Sequence, residues 1–192
     1  MTGSFPSQPK RALAIDPASK GFGFAVLEGP DALVDWGLKD AGTGTLRNRK
    51  CLERAAELIA QYEPEVLIVE RTAVKGCRRR PRVRRLIKSL LMLARRHRLL
   101  VRQVSRTSVL RTLSPSGGET KYQVAIALAE RFPELAPHLP PVRRNNGDGE
   151  DPRMAIFDAV AFGWMFFEPL RKERHALTLI EKIEKTVPYS SV

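Results

Sequence analysis

The sequence predicts a single mixed α/β domain, and three observations carry the prediction. Short apolar runs of strand length, Ala12 to Ile15, Phe22 to Leu27 and Val66 to Val69, are interspersed with longer stretches whose apolar residues recur at helical spacing. No internal repeat marks a second domain within the 192 residues. An apolar content of 43% is enough, at this length, to bury a core.

Taken in order, residues 1–10 (Thr, Gly, Ser, Pro and Gln among them) predict a flexible tail without the apolar core of a signal peptide. The two apolar runs on either side of Pro17-Ala18-Ser19-Lys20-Gly21 predict a β-hairpin, with Ala32 to Leu38 as a third strand. Gly42-Thr43-Gly44-Thr45 caps a helix from about Leu46, carrying Leu52, Ala55, Ala56 and Ile59 inward and stopped at Glu63-Pro64. Glu65 to Glu70 is a continuous aliphatic run, the pattern of a strand covered on both faces. Pro81 to Arg98 predicts a helix with Val83, Leu86, Ile87, Leu90 and Ala94 on one side, and Leu99 to Val104 a strand. Glu119 to Phe132 predicts another helix, and Pro133 to Gly149 a surface loop. Met154 to Phe167 is apolar all round except at Asp158, which places it in the core. Residues 11–168 are therefore read as the domain and 169–192 as a C-terminal helix or tail.

Three acids stand where acids are expensive. Asp16 ends the first strand, Glu70 ends the covered strand, and Asp158 sits in the most apolar helix. Asp16 alone could simply bond to the amides of its turn. Three such carboxylates on rigid elements are better explained if they converge on divalent metal, and oxygen-only ligation favours Mg²⁺ or Mn²⁺. Two such ions, about 4 Å apart, would serve in-line attack of water on a phosphodiester. Asp151 is the candidate fourth ligand and equally an ordinary N-cap before Pro152; seven residues from Asp158, it lies about 10.5 Å along a helix axis. Glu150 and Asp148 are weaker candidates. His97, His138 and His175 are scattered, and Cys51 and Cys77 fit neither a disulfide framework nor a zinc pattern, so reduced cytosolic thiols are expected.

The charge names the partner. The net charge is +12, and from Arg71 to Gly118 there is no Asp or Glu. Fifteen Lys or Arg fall between Arg71 and Arg111, with Lys75, Arg78, Arg79, Arg80, Arg82, Arg84, Arg85 and Arg111 as candidate phosphate contacts. Without aromatic residues in the segment, the contact is expected to be to backbone rather than to bases. Lys121, beside a Gly-rich loop whose spacing is wrong for a P-loop, could reach a phosphate from its helix start. The Gly21-Phe22-Gly23 pair is too short a signal for nucleotide binding. No run reaches the roughly 18 apolar residues that span a bilayer. A basic, soluble, cytoplasmic protein that binds nucleic acid is expected.

These residues resemble the RuvC-type Holliday-junction resolvases of the RNase H-like (retroviral integrase-like) superfamily. Leu13-Ala-Ile-Asp-Pro-Ala-Ser-Lys-Gly-Phe-Gly23 looks like the first-strand motif with Asp16 as its catalytic acid, and Val66-Leu-Ile-Val-Glu70 like the strand ending in the catalytic glutamate. Phe157-Asp-Ala-Val-Ala161 looks like the late helix motif, and Gly117 to Val124 like the loop whose lysine, here Lys121, reaches the cleaved strand. The resemblance implies an RNase H-like fold: a five-stranded mixed sheet, order 3-2-1-4-5, with helices on both faces. It also implies a homodimeric, divalent-metal endonuclease of branched DNA. Two positions depart from the pattern. Ala155 stands where the family commonly has an acid or histidine, and Arg71-Thr72-Ala73-Val74 lacks the aromatic wedge that follows the glutamate. A related nuclease of RNA–DNA hybrids or flaps, and a non-catalytic nucleic-acid-binding module of the same fold, are the alternative expectations.

Overall fold

The computed structural model describes residues 11–73, 79–113, 120–141 and 150–168. The expected tails at 1–10 and 169–192, with Lys75, Arg78, Asp148 and Glu119, lie outside the described residues. Strands β1 (Arg11–Pro17), β2 (Gly21–Glu28) and β3 (Leu33–Asp40) form an antiparallel meander, followed by helix α1 (Arg47–Tyr62). Strand β4 (Val66–Glu70), helix α2 (Pro81–Arg96) and strand β5 (Leu100–Val104) come next, then helices α3 (Arg106–Leu113), α4 (Lys121–Arg131) and α5 (154–168). The sheet runs β3-β2-β1-β4-β5, with β4 parallel to both β1 and β5. This is the expected mixed sheet of the RNase H-like fold.

The alternation of side chains along the central strands divides the core in two. Leu13 and Ile15 of β1 and Leu67 and Val69 of β4 face α1 and α2, packing with Cys51, Ala55, Leu58, Leu86, Ile87 and Leu90. Ala12 and Ala14, with Val66 and Ile68, face the other way onto α4 and α5, against Leu128, Phe157, Val160 and Phe162. Helices therefore cover both faces. Every residue of β4 is buried, as its unbroken apolar run requires.

The buried stripe of α2 is the expected one. That of α1 is turned slightly, with Cys51 and Leu58 fully buried and Leu52 and Ala56 at its margin. Two elements differ from expectation. Ser105, whose Oγ accepts from the Ser108 amide at 3.0 Å, opens the unforeseen helix α3. The stretch after Phe132 is not loop throughout, because Pro133–His138 forms a 3-10 helix that drives Leu135 fully into the core. No helix among the described residues is long and apolar enough to cross a membrane.

Candidate metal centre

Strand parity aims two of the acids. Asp16 follows Ala12 and Ala14 in alternation, and Glu70 follows Val66 and Ile68, so both point to the face covered by α5. The parallel pairing of Ile15 with Val69 brings the two acids to the same end of neighbouring strands. Helix α5 is pressed onto that face by Phe157, Val160 and Phe162, and it presents Asp158 from above. Asp16 and Glu70 are 3% and 6% exposed. The structure thus brings together the three acids singled out in the sequence.

They meet on an arginine. Arg106, in the first turn of α3, donates from Nε to Glu70 Oε1 (3.0 Å), from Nη1 to Asp158 Oδ2 (2.8 Å) and from Nη2 to Asp16 Oδ1 (3.0 Å). Arg79 adds a second bridge, to Glu70 Oε2 and Asp16 Oδ1 at 2.5 Å each, and donates to the Pro17 carbonyl at 3.1 Å. Lys121 Nζ lies 3.1 Å from Asp158 Oδ2 and 2.5 Å from Glu150 Oε1. A capping box, in which Thr120 and Gln123 bond reciprocally, holds the start of α4 and hence Lys121 in place.

Electrostatics follow from burial. Desolvation, reinforced by Asp158, pushes the Asp16 carboxyl up to about 7, against the opposing pull of Arg106 and Arg79. Burial works against the charge on Arg106, but Asp16, Asp158 and Glu70 outweigh it and hold the guanidinium firmly protonated.

The donor set suits a hard divalent cation: three carboxylates, no sulfur or imidazole, on three rigid elements. All three already reach one cation-sized space, the one filled by Arg106. As placed, no three Asp, Glu, His or Cys side chains among the described residues are grouped to hold an ion directly. Metal and guanidinium call on the same oxygens.

The expected fourth ligand stands apart. Helix α5 begins at residue 154, so Asp151 precedes it and does not share a helical face with Asp158. Its Oδ1 accepts from the Arg153 amide (2.9 Å) and its Oδ2 from Arg153 Nη2 (2.8 Å), the hydrogen bond that lowers its pKa. Asp151 serves the turn into α5, three residues before its first helical residue and so not at the N-cap position, though it lines the same cleft as Asp16. Ala155 also lines that cleft and is packed against β2.

The cleft, about 430 Å³, has a basic wall of Arg47, Arg79, Arg80 and Arg82 facing Glu150 and Asp151. Two expected phosphate contacts are committed within the fold. Arg79 neutralises the acids, while Arg82 donates to the Ala18 carbonyl (2.6 Å) and to Asn48 (3.0 Å), bracing the hairpin turn. Arg47, not foreseen, braces the same turn through Ser19 (2.7 Å). Arg80, Arg84, Arg85 and Arg111 are exposed. Arg106 is the principal residue that sequence reasoning missed. One cation among fifteen carries no mark of its own. What distinguishes it is its position two residues beyond Val104, the neighbour of Glu70 across the β4–β5 ladder, a pairing that only the structure gives.

No family model matches the sequence, and no curated protein matches it significantly. Among solved structures the chain is similar to RuvC of Thermus thermophilus, with a TM-score of 0.58 at 17% identity over 80% of this chain and 91% of that one. It is similar to the same protein in complex with a Holliday junction substrate (TM-score 0.56, 17% identity, 80% and 90% covered). It is also similar to the yeast mitochondrial Holliday junction resolvase Ydc2 (TM-score 0.53, 18% identity, 88% and 83% covered). At these identities the likeness establishes the fold.

Proposed function

We propose that this chain is a metal-dependent endonuclease of branched DNA, Holliday junctions among its substrates. The observation that carries the reading is the convergence of Asp16, Glu70 and Asp158, from two strands and a helix, at one end of the sheet of a fold shared with solved junction resolvases. Arg79 and Arg106 stand at that end, and the acid-free basic sequence from Arg71 to Gly118 to which they belong supplies the charge a phosphate backbone needs.

Asp16, Glu70 and Asp158 would hold Mg²⁺ or Mn²⁺, two ions in the full complement, with water rather than Asp151 as the next donor. Such ions supply an activated water and stabilise the departing oxygen of a phosphodiester. The chain's own groups do the rest. Lys121, on the side of Asp158 facing Glu150, offsets charge on the cleaved strand, and burial of Asp16 and Glu70 keeps bulk water from the carboxylates. Arg80, Arg84, Arg85 and Arg111 hold flanking phosphates. Symmetric cutting of a four-armed substrate requires two centres, so the working form is a homodimer.

The test is cleavage of end-labelled four-way junction, flap, linear duplex and RNA–DNA hybrid with Mg²⁺ or Mn²⁺, beside Asp16→Asn. Paired nicks in the junction that vanish in the variant are expected. Cutting of the flap or hybrid instead would move the assignment within the nucleases. Metal-independent binding alone, equal in both proteins, would favour the non-catalytic module, a reading that the neutralisation of the acids by Arg79 and Arg106 also supports.

A further inference from the structure

The acids are matched within the chain by as many cations. Arg106 spends one nitrogen on each of Asp16, Glu70 and Asp158; Arg79 bridges the first two, and Lys121 holds the third. A cluster of bare carboxylates would repel itself and draw a divalent ion from solution. Here oxygens of all three are already in contact with Arg106, Arg79 or Lys121. A divalent ion entering beside Arg106 would meet a like charge in a poorly solvated site, so ion and guanidinium exclude each other.

Arg106 has somewhere to go. Its side chain is 24% exposed, and it borders a small open cavity of about 50 Å³ together with Lys121, Asp158, Leu110 and Phe162. Two cations converge on that space, and its volume would admit a few atoms the size of water oxygens. A guanidinium is a planar fork that binds phosphate as well as it binds carboxylate. A DNA phosphate lodged between Arg106 and Lys121 would take over the contacts that Arg106 now makes to the acids.

We propose that Arg106 is a displaceable counter-cation of the metal centre, held by the three acids in free protein and passed to a DNA phosphate when metal enters. The inference rests on the reading of Asp16, Glu70 and Asp158 as metal ligands. Its consequence is a coupling: DNA raises metal affinity and, by reciprocity, metal raises DNA affinity. The free protein would hold its acids shut against stray ions, and the centre would assemble on nucleic acid.

Mn²⁺ binding to the full-length, metal-free protein, read from the spin-resonance signal of free Mn²⁺, tests this without turnover. Arg106→Gln should bind Mn²⁺ about tenfold more tightly than wild type in the absence of DNA, the usual size of such a coupling. Arg106→Lys should fall between, because one ammonium cannot span three carboxylates, and it keeps the charge should Arg106→Gln fold poorly. Linear duplex DNA, with its own Mn²⁺ uptake subtracted, should tighten binding by wild type and much less by Arg106→Gln. Equal or weaker Mn²⁺ binding by both variants would overturn the exchange and leave the metal reading standing, as would a wild-type affinity indifferent to DNA. Absence of Mn²⁺ binding in every protein would overturn the metal reading, and this proposal with it.

Discussion

Gly23 sets how closely helix α5 approaches the sheet, and Gly23→Ala is the sharpest single test of how the acids are brought together. Gly23 pairs directly with Asp16 across the β1–β2 ladder. A Cβ there would stand 2.1 Å from the Ala155 carbonyl oxygen, 2.2 Å from its carbon and 2.7 Å from the Ile156 amide nitrogen. Ordinary contact begins at 3.4 Å, so strand and helix would have to part by about 1.3 Å, and both partners are backbone. The helix cannot withdraw freely, since Phe157, Val160 and Phe162, which pack it onto the sheet and are at most 1% exposed, would lose their contacts. The expected cost is the upper end of the overpacking range, about 3 kcal/mol, read from urea unfolding. Asp158, three residues beyond Ala155, moves with the helix, and an error of about 1 Å in such a centre costs about a hundredfold in rate. Gly163→Ala on the same helix is the control. Its Cβ would meet Leu27 Cδ1 at 2.3 Å, the far end of a side chain rather than backbone, about 7.5 Å along the helix axis from Asp158. A Gly23→Ala protein of wild-type stability, or one no worse than Gly163→Ala in stability and cleavage, would refute the reasoning.

Two further outcomes are expected. The buried Asp16 carboxyl, pushed from 3.8 to about 7, binds its proton more tightly in the folded than in the unfolded chain. The folded state is therefore favoured at low pH, and metal-free stability falls as pH rises from about 4 to about 7, by on the order of 4 kcal/mol; Asp16→Asn should flatten that slope, and chemical denaturation across the window checks it. Arg84, exposed on α2, should act through phosphate charge alone, so Arg84→Gln should lower the slope of log affinity against log salt for duplex DNA by about one while leaving thermal stability unchanged.

Much of the fold was legible because its signals are local. Unbroken apolar runs mark β1, β2 and β4, and helical spacing marks α2 down to the residues buried. Asp16, Glu70 and Asp158 could be singled out because a carboxylate inside an apolar run contradicts its neighbours, a conflict visible in one dimension. The order of the strands came through the family resemblance rather than from periodicity. The role of Arg106 was not legible: its importance arises from standing beside Glu70 across a parallel ladder and beneath Asp158 on a helix more than fifty residues later. Likewise Gly21-Phe22-Gly23 is too short a signal for nucleotide binding, and the reason for Gly23, the backbone of α5 resting on it, lies in the tertiary packing. Sequence determines which residues want burial, charge or a turn, since those preferences belong to each side chain and its near neighbours. Which cation answers which acid depends on register and on how closely layers approach, and only the packed tertiary structure decides that.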